Sequence, residues 1–278
     1  MMVNRRQWMA GGAALATTLA AGPLMARPRL GPIGLQLYTV RAIFEPDPMG
    51  TLEKVAAIGY REVEYGGGGY DKMDHAALRK AMDRLGLVSP SIHLGYEALA
   101  ADFDGSVKMA KTLGADTVIV PYMGETHRTA EAWKKAVADF NRYAERLKKA
   151  GLDFAYHNHD FEFTVKPGGT SLFDTLVADG DPALIKIELD LFWAIAAGED
   201  PKAIIKRLPG RIYAYHVKDR TADGKMTSVG KGVVDFADIF TLNQTAGVKH
   251  FYVENDQSPA PYLPDITTSF TTLSRLGA

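Results

Sequence analysis

The sequence predicts an α/β protein folded as a single (β/α)8 TIM barrel, and three observations lead to this prediction. Short apolar runs rich in β-branched and aromatic residues alternate with amphipathic stretches, the pattern of repeated βα units around a parallel sheet. Eight such units follow a leader of 26 residues and occupy the remaining 252 residues (278 minus 26), close to the ~250 of a typical barrel. The first βα turn, residues 38–41, lacks the glycine-rich phosphate loop of the competing architecture, an open doubly wound sheet.

The leader has the composition of an export signal. Arg5 and Arg6 precede a short apolar run of small residues, and the residues before Ala26 suit cleavage after it. We expect a twin-arginine signal peptide over residues 1–26, a barrel domain over residues 27–278 and a periplasmic mature protein. The apolar run is shorter than the roughly 20 residues of a spanning helix, so we expect no stable membrane insertion after cleavage.

Strands are predicted where a short run of apolar residues is rich in β-branched side chains. Helices are predicted where apolar residues recur every three to four positions. Several predicted helices end at a glycine, such as Gly86 or Gly114, that can close a helix in the left-handed conformation. The predicted strands span residues 33–38, 62–65, 88–93, 117–121, 153–157, 185–190, 212–216 and 251–254. The predicted helices span residues 48–58, 74–85, 102–113, 129–150, 171–178, 201–208, 236–246 and 261–276.

The composition excludes several classes of function. The chain has 32 Lys and Arg against 33 Asp and Glu, a net charge of -1. Such a balance provides no basic surface for phosphate contacts, so we expect no nucleic-acid partner. The chain has no Cys, which excludes a disulfide framework, a thiolate nucleophile and a Cys-ligated metal. Any metal ion must therefore be held by His, Asp and Glu.

One potential metal ligand closes each of the last four predicted strands. These residues are His157, Asp190, His216 and Glu254, each about one βα unit from the next. Because the carboxyl ends of barrel strands meet at one face, we expect the four side chains to converge on one divalent ion. Charged side chains on the inner face of parallel strands need a partner or a metal, which favours this interpretation over four separate hydrogen bonds. The donor set suits Mn²⁺, Mg²⁺, Co²⁺, Fe²⁺ or Zn²⁺ without choosing among them.

Seven short segments occur in an order typical of one protein family. They are GLQLYTVR at 34–41, YHNHDFEF at 156–163, DLFW at 190–193, AGEDP at 197–201, HVKD at 216–219, GKGVVDF at 230–236 and VE at 253–254. With them, the chain over residues 31–276 resembles the xylose isomerase-like superfamily of sugar phosphate isomerases and epimerases. That group also holds ketose 3-epimerases, inosose dehydratases and an endonuclease. The resemblance implies a barrel with one divalent ion and a small carbohydrate substrate.

The resemblance also implies a ligand set, from which this chain departs at one position. The ketose epimerases hold their ion with Glu, Asp, His and Glu, and Asp190, His216 and Glu254 match the last three. His157 stands in place of the first Glu, with Glu162 as a possible substitute ligand or substrate contact. The epimerase mechanism uses its two Glu on opposite faces of the substrate. Because only Glu254 is retained, aldose–ketose isomerisation or β-elimination fits at least as well as symmetric epimerisation.

We expect a sugar isomerase or epimerase that removes a proton next to a metal-bound carbonyl of a sugar or keto sugar. Glu254 is the expected base, and His157 or His159 the opposing acid. The alternatives are a metal-dependent lyase or dehydratase acting on a keto sugar or keto glycoside, and an exported sugar-binding protein without turnover. Export argues for a substrate without a phosphate ester.

Five further residues are candidates for substrate contacts, although each could equally have a structural role: Glu64, His93, Glu162, Trp193 and Lys218. Trp193 could stack on a sugar ring, and Lys218 could instead pair with Asp219 or Asp256. The sequence leaves open the substrate, the identity of the metal and whether the protein is a monomer or a homo-oligomer.

Overall fold

A computed structural model describes residues 30–277 of the protein, and the signal peptide predicted over residues 1–26 lies outside this range. The eight barrel strands are β1 (Ile33–Gln36), β2 (Glu62–Glu64), β3 (Ser91–His93), β4 (Thr117–Val120), β5 (Asp153–His157), β6 (Ile185–Asp190), β7 (Ile212–Val217) and β8 (His250–Val253).

The eight strands form one parallel sheet in the order β2-β1-β8-β7-β6-β5-β4-β3. Parallel bridges from Glu62 to Val88 and from Tyr65 to Ile92 connect β2 to the β3 segment at the two ends of this order. The sheet therefore closes on itself, and the predicted (β/α)8 barrel is confirmed.

Helices fill every crossover between successive strands. They are α1 (Arg41–Phe44), α2 (Pro48–Ile58), α3 (His75–Leu85), α4 (Tyr96–Ala101), α5 (Phe103–Leu113), α6 (Ala130–Lys149), α7 (Phe161–Thr164), α8 (Leu172–Asp179), α9 (Leu191–Ala196), α10 (Pro201–Arg207), α11 (Phe236–Phe240), α12 (Asn243–Ala246) and α13 (Leu263–Leu276). Among these helices of residues 30–277, none is both long enough and apolar enough to cross a membrane.

The helix ends follow the signals in the sequence. The side chains of Asp47, Asp74 and Asp102 each accept a backbone N–H in the first turn of α2, α3 and α5, which satisfies a donor that the helix itself leaves free. Gly86 and Gly114 end α3 and α5 with φ of 67° and 86°. The predicted left-handed closure of these two helices is therefore confirmed.

Two strands are shorter than predicted by two residues or more, each for a local reason. The strand predicted over 33–38 stops at Gln36, whose side chain accepts a backbone N–H two residues further on. The strand predicted over 88–93 starts at Ser91, because Pro90 has no N–H to give to a neighbouring strand. The early end of β1 leaves the residues after it on the rim of the barrel.

Alternation along β5 separates the apolar core from the site. Phe154 and Tyr156 point outward onto α6, with ring centroids 5.5 and 5.4 Å from Phe140. His157 follows on the opposite face, inside the barrel. A small apolar cluster also lies within the barrel: Ile119, Ala155, Tyr213, Ala214 and Tyr252. Polar side chains occupy the interior towards the carboxyl ends of the strands.

Candidate metal centre and cavity

The structure brings the four predicted ligands together. His157 and Asp190 end β5 and β6, His216 lies near the end of β7, and Glu254 follows β8 directly. The parallel register pairs Asp190 with His216 across neighbouring strands. All four side chains are buried. One donor atom from each lies within 4.8 Å of the other three, a spacing suited to a single ion.

The imidazole of His216 is oriented from both sides. Its Nδ1 lies 2.7 Å from Glu254 Oε2. Its Nε2 lies 2.8 Å from Glu64 Oε2 and 3.1 Å from Glu188 Oε2, deeper in the barrel. A carboxylate that holds the far nitrogen of an imidazole is typical of metal-ligating histidines, because it fixes the ring and its tautomer.

The imidazole of His157 has the same arrangement. Its Nδ1 lies 3.1 Å from Glu188 Oε2, and its Nε2 faces Asp190 Oδ2 at 3.9 Å. Burial and the neighbouring His216 lower the pKa of His157 below 6.5, so the ring is neutral at pH 7 and can donate an electron pair to a metal. At the position where the resemblance expects a Glu, the chain thus has an imidazole with a carboxylate, Glu188, on its other nitrogen.

Asp190 contributes a buried oxygen without a hydrogen bond. Its Oδ1 accepts the backbone N–H of Trp193 at 2.8 Å. Within residues 30–277, its Oδ2 accepts no hydrogen bond, although the Lys218 ammonium lies 3.0 Å away as an ion pair. Lys218 balances the charge of this buried oxygen without occupying it with a hydrogen bond. The donor set of two imidazoles and two carboxylates therefore fits a divalent ion.

Lys218 lies behind the predicted ligands rather than on a substrate surface. Its Nζ is 2.8 Å from Glu254 Oε2 and within 3.0 Å of both Asp256 oxygens. Burial alone would lower the pKa of Lys218, but Asp190 and the other carboxylates raise it well above 10.5. Lys218 and His216 in turn keep the pKa of the buried Glu254 well below 4.5. Lys218 is thus a buried counter-ion whose partners include Asp256, the alternative that the sequence offered to a substrate contact.

Glu64 and His93 occupy different depths below the rim. Glu64 is fully buried and accepts hydrogen bonds from Gln36 Nε2, at 2.8 Å, and from Ser91 Oγ. It contacts His216, and its expected role as a substrate contact stays a prediction. His93 reaches the cavity wall, with its Nε2 2.7 Å from Glu188. Burial lowers the pKa of His93 but Glu64 and Glu188 raise it, to about 9.

Glu162 lies apart from the four-residue cluster. It is fully buried, where its Oε1 accepts the Tyr156 hydroxyl at 2.6 Å and its Oε2 accepts the His159 backbone N–H at 2.7 Å. Burial raises its pKa to about 8. Because Tyr156 is on the outer face of β5, the bond to it holds Glu162 away from the barrel interior. Glu162 is therefore outside the group of four donor atoms in the described chain, and its role as substitute ligand or substrate contact stays a prediction.

His159 lies on the cavity wall, and its buried Nδ1 has no hydrogen-bond partner within residues 30–277. Burial lowers the pKa of His159 well below 6.5, so the imidazole is neutral. A neutral imidazole accepts a proton before it can give one, and the acid role expected from the sequence stays a prediction. Trp193 packs behind His159 with ring centroids 5.4 Å apart, and its buried Nε1 has no partner in the described chain.

A cavity of about 540 Å³ opens beside the cluster, and its wall has two unlike halves. The half that follows β5 and β8 is polar, with His157, His159, Glu254 and Asp256. The half that follows β1 to β4 is aromatic and rich in glycine: Tyr38, Gly66, Gly67, Tyr70, Leu94, Gly95, Pro121 and Tyr122. The sequence interpretation missed Tyr38, Tyr122 and Asp256 as wall residues. Their signal was position, since each lies one to three residues beyond a barrel strand.

Known proteins resemble the chain in both sequence and fold. The family model of the xylose isomerase-like TIM barrel matches residues 52–262. An inosose dehydratase from Lacticaseibacillus casei is 25% identical over 202 residues, which cover 61% of this chain and 67% of the relative. An inosose dehydratase from Clostridium beijerinckii is 24% identical over 249 residues, which cover 75% of this chain and 82% of the relative. The crystal structure of a sugar phosphate isomerase/epimerase from Parabacteroides distasonis has a TM-score of 0.75 and 25% identity, and the alignment covers 93% of this chain and 97% of that one.

Proposed function

The chain belongs to the xylose isomerase-like TIM barrel family, and from that premise we propose that it is a divalent-metal-dependent sugar isomerase or epimerase. It removes a proton next to the carbonyl group of a sugar or keto sugar and returns it to the same or a neighbouring atom. The observation that carries this proposal is the group of four donor atoms, from His157, Asp190, His216 and Glu254, within 4.8 Å of one another beside a cavity.

The residues behind the ligands prepare the site for this chemistry. A divalent ion, when bound, supplies the positive charge that favours loss of a proton next to a carbonyl. Glu188 and Glu64 hold the rings of His157 and His216 so that one nitrogen of each faces the other ligands. These supports are fully buried, so the ligand geometry is fixed before substrate arrives.

Glu254 is the proposed base. Among the four ligands it is the carboxylate that lines the cavity, and its Oε2 is held by His216 and Lys218. His159 is the second proton acceptor, since it lines the cavity and its buried Nδ1 has no hydrogen-bond partner in the described chain. Each group takes a proton and then gives it back from its protonated form: Glu254 at the carbon next to the carbonyl, and His159 between the hydroxyl and carbonyl oxygens.

Elimination of water or an alcohol from a keto sugar is the second candidate reaction. One observation favours it: of the two ligands on the cavity wall, Glu254 is a carboxylate and His157 an imidazole. Epimerisation by two carboxylates on opposite faces of a substrate needs a second carboxylate, and His157 stands in its place here. The curated relatives cited above are dehydratases, which agrees with this candidate.

Hydrogen exchange tests the proposed function directly. Protein supplied with Mn²⁺ is incubated in D₂O with ketohexoses and with 3-keto glucosides, and the carbon next to the carbonyl is examined by NMR. We expect deuterium at that carbon, with an intact skeleton for the isomerase or epimerase and with release of a leaving group for elimination. Chelator-treated protein is the control. Absence of exchange in every ketose and keto glucoside, with the metal bound, would contradict the proposal.

We also propose export through the twin-arginine route, on the pattern of residues 1–26. Replacing Arg5 and Arg6 with lysine keeps the charge and removes the arginine pair. We expect this variant to stay in the cytoplasm while the unchanged chain reaches the periplasm, as followed by cell fractionation. Equal export of both chains would contradict this route.

A further inference from the structure

We propose that the substrate is an uncharged glycoside of at least two rings, whose second ring seats between Tyr38 and Tyr122 at the mouth of the cavity. This rests on the proposed function for the place of the first ring, beside the four-residue cluster. The two tyrosines are two of the four large apolar side chains that are exposed within residues 30–277, and both line this one cavity. Exposed aromatic side chains gathered at one cavity indicate a ligand surface.

Tyr38 is fixed in place although its ring is 38% exposed. The Arg41 guanidinium lies 3.9 Å from the ring centroid and donates to the Tyr38 carbonyl at 2.7 Å. Gly67, at φ 66°, passes so close that a Cβ there would lie 2.6 Å from the Tyr38 ring. The glycine loop after β2 thus packs against the ring edge. An ordered aromatic surface loses little conformational entropy when a ligand binds.

Tyr122 is held in a comparable way. The residue is 48% exposed, and its hydroxyl accepts a hydrogen bond from Arg128 at 2.6 Å. The rings of His159 and Phe161 meet it edge to face, with centroids 5.3 and 5.5 Å away. Tyr122 therefore adjoins His159, the proposed proton acceptor. A second substrate ring stacked on Tyr122 would then be next to the first ring, where the reaction takes place.

The charge of the wall favours an uncharged ligand. No Lys or Arg occurs among the residues that line the cavity in the described chain, whereas Asp71, Glu254 and Asp256 do. The nearby Arg41 and Arg128 are engaged with backbone carbonyls. His93 is the cationic side chain on this wall, and its Nε2 is already paired with Glu64 and Glu188. A phosphate ester would therefore meet carboxylates without a free cation among the lining side chains. The volume of about 540 Å³ also suits a ligand larger than one hexose, since sites for drug-sized ligands span about 300–1,000 Å³.

Binding measurements with simple glucosides test this inference without turnover. Calorimetric titrations compare phenyl and methyl glucosides, in both anomers, and glucose 6-phosphate, each with and without Mn²⁺. We expect one phenyl anomer to bind at least about 10-fold more tightly than its methyl counterpart, and Tyr38→Ala and Tyr122→Ala each to reduce this preference roughly 5-fold, in line with stacking of one aromatic pair. Tyr38→Phe and Tyr122→Phe, which keep the rings, should retain it.

Val88→Ala is the matched control, since Val88 is an exposed apolar residue outside the cavity. Equal affinities for phenyl and methyl glucosides, no measurable binding of either phenyl anomer, a preference that survives both alanine variants, or tighter binding of glucose 6-phosphate would each overturn the inference. Failure of the proposed function would be seen separately, as absent metal or absent hydrogen exchange. A tyrosine-dependent phenyl preference would support the two-ring ligand even then.

Discussion

The two halves of the cavity wall are built in opposite ways. In the half after β5 and β8, His157, Glu254 and Asp256 are each held by a buried partner, Glu188 or Lys218. The half after β1 to β4 contains exposed tyrosines held by surface arginines and a glycine loop. The first half has the donor atoms for chemistry, and most of the second is aromatic and backbone surface, with Asp71 and His93 as its charged residues. This difference separates the reaction, which we assign to the polar half, from the choice of substrate, which we assign to the aromatic half.

Removing a ligand from the polar half should have the largest effect. We expect Asp190→Ala and His216→Ala to lose the bound ion, about one per chain in the unchanged protein, and all hydrogen exchange, because each leaves three donors where four are required. Elemental analysis and the D₂O assay measure both. Asp71→Ala, a carboxylate on the aromatic half, is the control that should keep its ion. Full metal content in Asp190→Ala and His216→Ala would contradict the site.

Three matched glutamine variants separate ligand from base within the polar half. Glu254→Gln should keep much of its metal, because an amide oxygen still ligates, and lose exchange by roughly 10²–10⁴-fold. His159→Gln should keep all of its metal and also slow exchange. His157→Gln should lose metal first, since its ring faces Asp190. If Glu254→Gln exchanged at the original rate, Glu254 would be a ligand only.

The sequence predicted the polar half better than the aromatic half, for a physical reason. A charged residue such as Asp190 at the end of an apolar strand is expected to have a functional or pairing role. Because the carboxyl ends of barrel strands meet at one face, strand order alone predicts that such residues lie together. Tyr38 and Tyr122 are ordinary residues of short loops, and their exposure depends on Arg41, Arg128 and the path of the glycine loop.

The spacing of the strands also did not predict how deep below the barrel rim each side chain lies. Glu64 and His93 both end strands, yet Glu64 is fully buried beneath His216 and His93 reaches the cavity. Glu162 follows the turn after His159, and this turn directs its side chain to Tyr156 on the outer face of β5. A pattern of alternation ends where the strand ends, and it predicts nothing about the turn that follows.

Lys218 connects the charge of the polar half to its stability. Its ammonium neutralises Asp190, Glu254 and Asp256 inside the barrel. We expect Lys218→Met to destabilise the metal-free protein by about 3–5 kcal/mol, because it leaves buried carboxylates without a partner. Added Mn²⁺ should restore more stability to this variant than to the unchanged protein, as measured by thermal unfolding with and without chelator. Lys225→Met, at an exposed ion pair, is the control. Equal stabilisation by Mn²⁺ in both proteins would contradict a cation site next to Lys218.

We expect Glu162 to affect the pH dependence of the folded protein's stability rather than its metal content. Burial raises its pKa from 4.5 to about 8 in the folded protein, so between these pH values the folded state holds a proton that the unfolded chain has released. Stability therefore falls as pH rises through this window, by up to about 1.4 kcal/mol per pH unit. Glutamine resembles the protonated carboxyl, so Glu162→Gln should gain stability relative to the unchanged protein from pH 5 to pH 8 in denaturant titrations. Exposed Glu131→Gln should show no such trend. A Glu162→Gln variant that tracked the unchanged protein at every pH but lost its metal would instead return Glu162 to the ligand set.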